Sequence, residues 1–393
     1  MLTHSPSIYL KNILREKIAN SPQQKITFCE YMNLVLYHPE YGYYNRKNLK
    51  IGKEGDFFTS SSLGADFGEL LAEQFLQMWH ILGKPCPFTL AEIGAGEGLL
   101  AKDILVYLEQ NYPDFLAALK YIIIEQSDSL IKQQKTLLKK WQPPKVNVEW
   151  KTWEEIKNNS VIGCCFSNEL IDAFPVHKII KIDGVLKEVY VTIDNDLLEE
   201  CLEEISTNQI QDYFELVGIN LLDSQYFNGY QTEVNIAALN WIEKISEKLK
   251  QGYLLTIDYG YPSRKYYHPQ RSKGTLNCYY QHRHHHNPYV NLGSQDITTH
   301  IDFTALERKG KLCGLETLGF TPQAMFLMAL GLGDRLLSLS SDRMYLADIL
   351  QRRDYLHQLI NPTGLGGFGV LIQGKGLKEK QKQIKLRGLT TPE

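Results

Sequence analysis

The 393-residue chain has no CxxC cysteine pair, no surplus of either charge and no hydrophobic run of membrane-spanning length. Its longest apolar stretch, AMFLMALGLG at 324–333, falls far short of the ~20 residues a bilayer helix needs, which predicts no membrane insertion. The seven cysteines are odd in number, and Cys164 and Cys165 lie inside an apolar run where thiols pack rather than react. Reduced thiols in a cytoplasmic compartment are expected. A net charge of −3 gives no general basis for nucleic-acid binding, so partners have to be argued from sites. No apolar leader core follows Met1. The weakly amphipathic, basic YLKNILREKIA carries Glu16 and lacks an Arg/Ser-rich lead, so a mitochondrial address has no support in these residues. Internal repeats and long low-complexity tracts are absent too. What is present, at 43% hydrophobic residues, is material for a large core: two or three domains, or one α/β catalytic domain with insertions.

In TFCEYMNLVLYHPEYGYY, Phe28, Met32, Val35 and Leu36 fall on one helical face until Pro39 breaks the pattern into a tyrosine-rich turn. IGKEGDFFTSSSLG, dense in Gly, Ser and Thr, reads as a loop long enough to cover a site, and ADFGELLAEQFLQMWHILG as an amphipathic helix stopped by Gly83. Residues 1–87 are thus an N-terminal helical region with a lid loop. From Phe88 the period changes. FTLAEIGAGEG is a short apolar run ending in glycines before the helical LLAKDILVYLEQ, and KYIIIEQSDSL repeats the strand-then-helix pattern of a βαβ unit. SVIGCCFSNELIDAFPV and NIAALNWIEKISEKLKQGYLLTIDYG continue the alternation, and GFGVLIQGKG looks like a closing strand. The expected fold is α/β, an open parallel sheet over 88–376, with a β-rich insertion at 181–234, a flap insertion at 261–299 and a tail at 377–393. Ligands of such sheets sit beyond the carboxyl ends of the strands, where the sequence places Glu92, Glu125, Asn168, Glu169 and Asp258.

AEIGAGEGLL is the most informative stretch. A dinucleotide site needs G-x-G-x-x-G/A, but the third glycine, Gly98, comes one place early and Leu99 stands where that fingerprint wants a small residue. Glu92, just before the first glycine, suits a cationic ligand better than a pyrophosphate. The E-x-G-x-G-x-G pattern, with Gly94, Ala95, Gly96 and Gly98, looks like that of S-adenosylmethionine-dependent methyltransferases, whose ligand carries an ammonium and a sulfonium. Glu125 at the next strand end would accept the ribose hydroxyls. A glycine turn that only eases helix–strand packing is the alternative.

Methyl transfer from a sulfonium mainly needs an aligned acceptor. In SNELIDAFP, Asn168, Glu169 and Asp172 stand at one strand end, and an acidic pair three residues apart can hold a guanidinium through charge-assisted hydrogen bonds and take its proton. The same acids could instead cap the following turn. His300 and Asp302 in DITTHIDFTAL precede a helix, where Asp302 fits an N-cap and His300 a place beside the site.

With LYHPEYGYY, GDFFTS, FGELLAEQF, AEIGAGEG, SNELIDAFPVH, IDYG, GTLNCYYQHRHHHNPY, DITTHIDFTAL and GVLIQGKG in this order, the chain resembles the MidA family of methyltransferases. The resemblance implies a Rossmann-like, doubly wound seven-stranded core, S-adenosylmethionine as donor, and symmetric dimethylation of an arginine in a respiratory NADH dehydrogenase (complex I) subunit. It also implies a cytoplasmic enzyme, or a matrix one if eukaryotic, and leaves a homodimer open. By motif, Gly94, Gly96 and Glu125 match donor-binding positions, and Asn168, Glu169 and Asp172 the strand motif near the transferred methyl.

In the family pattern His282, Arg283, His285 and Pro288 look like shared positions, and His284 and His286 like local additions. No partnering cysteine or carboxylate cluster lies nearby in sequence, so a flap over or beside the acceptor entrance is expected rather than a metal site. GDFFTS would form the other lid, with Asp56 or Thr59 near the donor. Three other functions stay open: an assembly chaperone that binds the donor without turnover, a methyltransferase for another amine, and, least favoured by the glycine spacing, a nicotinamide oxidoreductase.

Overall fold

In this computed structural model the described residues are 6–46, 60–142, 146–281, 283–339 and 345–391. Asp56, Thr59 and His282 lie outside them.

Buried runs alternating with amphipathic helices build a seven-stranded sheet from β1 (Phe88–Ile93), β2 (Leu119–Ile124), β3 (Asn147–Trp150), β4 (Val161–Asn168), β5 (Leu249–Asp258), β6 (Glu316–Pro322) and β7 (Gly369–Lys375), in the order β6-β7-β5-β4-β1-β2-β3. Strands β1 to β5 are mutually parallel, and β7 runs antiparallel to both β5 and β6. Every residue of β1 is buried, as a parallel strand covered on both faces requires. The strand order reverses between β1 and β4, so the crevice of the switch point opens between their carboxyl ends. Gly163 of β4 pairs with Gly252 of β5, and a Cβ on Gly163 would come within 2.0 Å of the Thr89 carbonyl. Only glycine permits that close approach.

Two apolar layers cover the sheet. On one face pack the helices Asp66–Ile81, Leu99–Asn111 and Leu346–Ile360, with Phe67, Phe75, Ile104 and Leu356 buried; on the other lie Ile236–Lys248 and Phe303–Leu312, with Trp241, Ile242 and Leu306 buried. A third cluster belongs to the N-terminal region. The helix Phe28–Tyr37, whose start is fixed by a Thr27–Glu30 capping box, buries Phe28, Met32, Val35 and Leu36 against Cys278, Leu292 and Ile297 of the flap.

Beside the main sheet stands a five-stranded one: Ile26–Thr27, Val185–Asp194, His177–Ile182 and Gln231–Val234 in that order, with Leu197–Glu203 also on Val185–Asp194. A strand from the N-terminal region is thereby stitched onto the insertion. The flap forms its own three-stranded sheet, with Asn277–Tyr280 between Arg283–His285 and Asp296–Thr298. Among the described residues no helix is long and apolar enough to cross a membrane. The seven cysteines are free thiols.

Candidate active site

A cleft of about 450 Å³ opens where β1, β2 and β4 end. Its floor is the turn that follows β1. Gly94, Gly96 and Gly98 all take positive φ (72°, 53° and 82°), a region open to glycine at no steric cost, and Gly98 starts the helix Leu99–Asn111. A Cβ on Gly94 would lie 2.6 Å from Leu170 Cδ1, so the glycine turn and the segment after β4 are in direct contact.

Glu92 is buried at the end of β1 and its Oε2 accepts Tyr121 OH at 2.7 Å. Burial pushes its carboxyl up to about 7, against the lowering effect of the tyrosine. At the end of β2, Glu125 turns Oε1 onto the amides of Gln126 and Ser127 at 2.8 and 3.1 Å, and Gln134 ties its Oε2 (3.4 Å) to the Gly96 carbonyl (2.7 Å). Burial again raises the carboxyl.

At the end of β4 the chain bends sharply. Glu169 takes φ +50°, a left-handed conformation that costs a non-glycine residue of order 1 kcal/mol and clusters at functional sites. The bend is held from below by Asp258, whose Oδ2 accepts the backbone amides of Leu170, Ile171 and Asp172 at 3.3, 2.9 and 3.3 Å. Glu169 Oε1 accepts the Ser60 amide at 2.8 Å and Asn168 Nδ2 at 3.0 Å, while Asn168 Oδ1 is buried with no partner among the described residues. Burial lifts the Glu169 carboxyl to about 7 and that of Asp172 to about 6.

The structure brings Glu92, Gly94, Ala95, Gly96, Glu125, Asn168 and Glu169 to the wall of one cleft. Gly98 lies just behind it, and Asp172 sits beyond Glu169, near enough to Tyr259 for that side chain to offset part of the rise that burial causes. His300 does not line the cleft. Its ring packs against Tyr259 and Tyr261, centroids 5.1 Å from each, and burial with Arg271 and Lys265 nearby drives it down to about 4, so it is neutral at physiological pH. Asp302 caps the helix Phe303–Leu312 by accepting the amides of Thr304 and Ala305. Of the histidine run, His284 and His286 are exposed with ring centroids 6.4 Å apart, and His286 Nδ1 meets the Leu276 carbonyl at 3.2 Å. Among the described residues no group of three or more His, Cys, Asp or Glu side chains is placed to hold a metal ion.

Sequence reasoning missed Tyr37, Tyr44, Trp153 and Trp241, which complete the cleft wall. The first two come from the tyrosine-rich turn, whose aromatic density was the available signal. The tryptophans sit in segments with no local mark of a site.

A parallel sheet with an antiparallel β7, a glycine turn after β1 and acids ending β1 and β2 define a class I S-adenosylmethionine-dependent methyltransferase. The cleft fits that donor on its own chemistry. It holds buried acids suited to a cation, an unpartnered amide oxygen, and a turn whose backbone a ligand can approach. A model of an S-adenosyl-L-methionine-dependent methyltransferase family matches residues 70–321, and the chain belongs to that family. The chain is 31% identical to a Burkholderia thailandensis protein whose crystal structure contains S-adenosyl-homocysteine, with a TM-score of 0.85 over 98% of this chain and 95% of that one. It is also similar to the mitochondrial protein arginine methyltransferases NDUFAF7 of Homo sapiens (29% identity, 87% of this chain, 78% of the human protein) and its homolog of Drosophila melanogaster (29%, 80% and 73%).

Proposed function

We propose that the protein methylates an arginine side chain of a protein, and that the acceptor is an arginine of a respiratory NADH dehydrogenase subunit, which the reaction converts to symmetric dimethylarginine. The observation that carries this reading is Glu169, a carboxylate held in a strained bend at the end of β4, between the glycine turn and Asp172. S-adenosylmethionine would supply an electrophilic methyl group in the cleft. Glu92 and the glycine turn would face its cationic end and Glu125 its ribose, as acids at these strand ends do.

Glu169 has Oε1 occupied by Ser60 and Asn168, which leaves Oε2 for an acceptor N–H. With Asp172 it can fix the plane of a guanidinium, and positioning is most of what such a reaction needs. Free arginine stays protonated far above neutral pH, so the nitrogen that gains a methyl must give a proton to a nearby base. A carboxyl that titrates at about 7 is matched to that task. The names of the mitochondrial relatives support a protein arginine as acceptor. The same reading puts the protein beside the complex it modifies, in a cytoplasm or a mitochondrial matrix.

The test is mass spectrometry of the NADH dehydrogenase from cells lacking the protein. One subunit is expected to lose a dimethylarginine that wild type restores and Glu169→Gln does not. Restored assembly with Glu169→Gln, without the modification, would overturn the reading in favour of a chaperone that only binds the donor.

A further inference from the structure

Next to the donor cleft, four separate segments converge on a second set of side chains. In the flap, Tyr279 stands directly opposite Asp296 in an antiparallel pair, so the two project from the same face. Asp296 is buried and accepts Tyr44 OH on its two oxygens at 2.9 and 3.0 Å. Tyr44 stacks on Tyr37 with ring centroids 5.4 Å apart, and Tyr37 OH reaches the Ala173 carbonyl at 2.9 Å. From the other side Tyr259 comes near enough to Asp172 for each to shift the other's pKa. Asp172 and Asp296 are both near enough to Tyr37, Tyr44 and Tyr279 for their charges, beside burial, to hold those hydroxyls above their usual range. Tyr37 and Tyr44 also line the donor cleft, so the cluster borders it. Among the described residues Asp172, buried as it is, has no cationic partner.

Tyrosine faces attract a cation through the ring quadrupole, and a guanidinium, planar and weakly hydrated, stacks on them better than an ammonium does. Buried carboxylates add charge-assisted acceptors, and a neutral ligand of the same shape leaves them unpaired. We infer that Tyr37, Tyr44, Tyr259 and Tyr279, with Asp172 and Asp296, form an acceptor subsite for a planar guanidinium side chain. Asp172 meets the guanidinium, and Asp296 is a positioning residue that orients Tyr44 and adds its charge. The inference rests on the arginine reading above and adds where and how the side chain is selected.

The experiment titrates Nα-acetyl-arginine amide, and separately its neutral citrulline analogue, into full-length protein saturated with S-adenosylhomocysteine. The arginine compound should bind about 10-fold tighter than the citrulline compound, and Tyr279→Leu and Asp296→Asn should each weaken it about 10-fold. Tyr279→Phe, which keeps the ring, should restore the affinity, and the Kd for S-adenosylhomocysteine should stay within about twofold throughout. Equal binding of the two compounds, no arginine binding at ~10 mM, or unchanged affinity in both Tyr279→Leu and Asp296→Asn would overturn the subsite. The two readings fail separately. Arginine methylation whose acceptor KM ignores Tyr279→Leu and Asp296→Asn sinks the subsite alone. Arginine binding that these variants abolish, with no arginine methylated in the cellular test, keeps the subsite and sinks the acceptor reaction.

Discussion

Glu169 is where one residue's environment sets the chemistry. A carboxylic acid in water is ionised at pH 6, but here burial raises the group to about 7. As the base of the proposed reaction it would work only when ionised. The acceptor-limited rate should therefore climb as pH rises through about 7 and level off above it, while the guanidinium stays charged across the range. Initial rates between pH 5.5 and 8.5 would check this, and a flat profile would assign the proton elsewhere. Glu169→Gln keeps the shape of the side chain and removes the base. Methyl transfer should drop roughly 10²–10³-fold with donor affinity within about threefold of wild type, measured by calorimetry beside turnover.

At the scale of the element, the site depends on the bend after β4. Three backbone amides converge on Asp258 Oδ2, and a fourth, that of Tyr259, binds Oδ1 at 2.8 Å. Asp258→Ala leaves these donors without an acceptor in a buried place, which should cost about 3 kcal/mol in urea denaturation and lower activity beyond what lost stability explains. Unchanged stability would mean that water replaces the carboxylate. The glycine turn makes a second element-scale test. Gly94→Ala adds a methyl 2.6 Å from Leu170 Cδ1 at φ +72°, so the Leu170 side chain must move and the turn must hold an alanine in a strained conformation. Donor affinity should fall at least about 10-fold while the circular-dichroism spectrum keeps its wild-type shape.

The whole molecule is tied together by contacts between regions far apart in sequence. Asp66, on the helix Asp66–Ile81, binds Arg352 through two nitrogens at 2.8 and 2.9 Å and Arg335 at 2.9 Å, linking that helix to two others near the carboxyl end. Ion pairing with the two guanidiniums holds the Asp66 carboxyl below its usual range despite burial. A group whose pKa falls on folding stabilises the fold above its unfolded pKa near 4 and loses that contribution as pH falls through the folded value. Asp66→Ala removes the acceptor shared by two partly buried guanidiniums, of which Arg335 keeps Glu69, and should cost about 2 kcal/mol, read as a lower urea midpoint at pH 7. The N-terminal region is equally part of the whole, because it supplies a strand to the second sheet and the tyrosines of the cleft wall.

The main sheet, and the glycine turn and strand-end acids that line the cleft, could be read from the sequence alone. Buried parallel strands are continuous apolar runs, and the turn after β1 needs three glycines at fixed spacing, so both are written locally. The helices Asp66–Ile81 and Leu99–Asn111, the glycine turn, Glu92, Glu125 and Glu169 were all legible for that reason. The strands β3 and β6 were not singled out, the first being only four residues long and the second mostly exposed and interrupted by a register shift at Gly319. Only the tertiary structure decided that His300 stays out of the cleft, that Asp258 holds a bend rather than facing a ligand, and that Tyr44 meets Asp296. Such placements depend on how segments hundreds of residues apart pack, and no local period or propensity records which faces will meet.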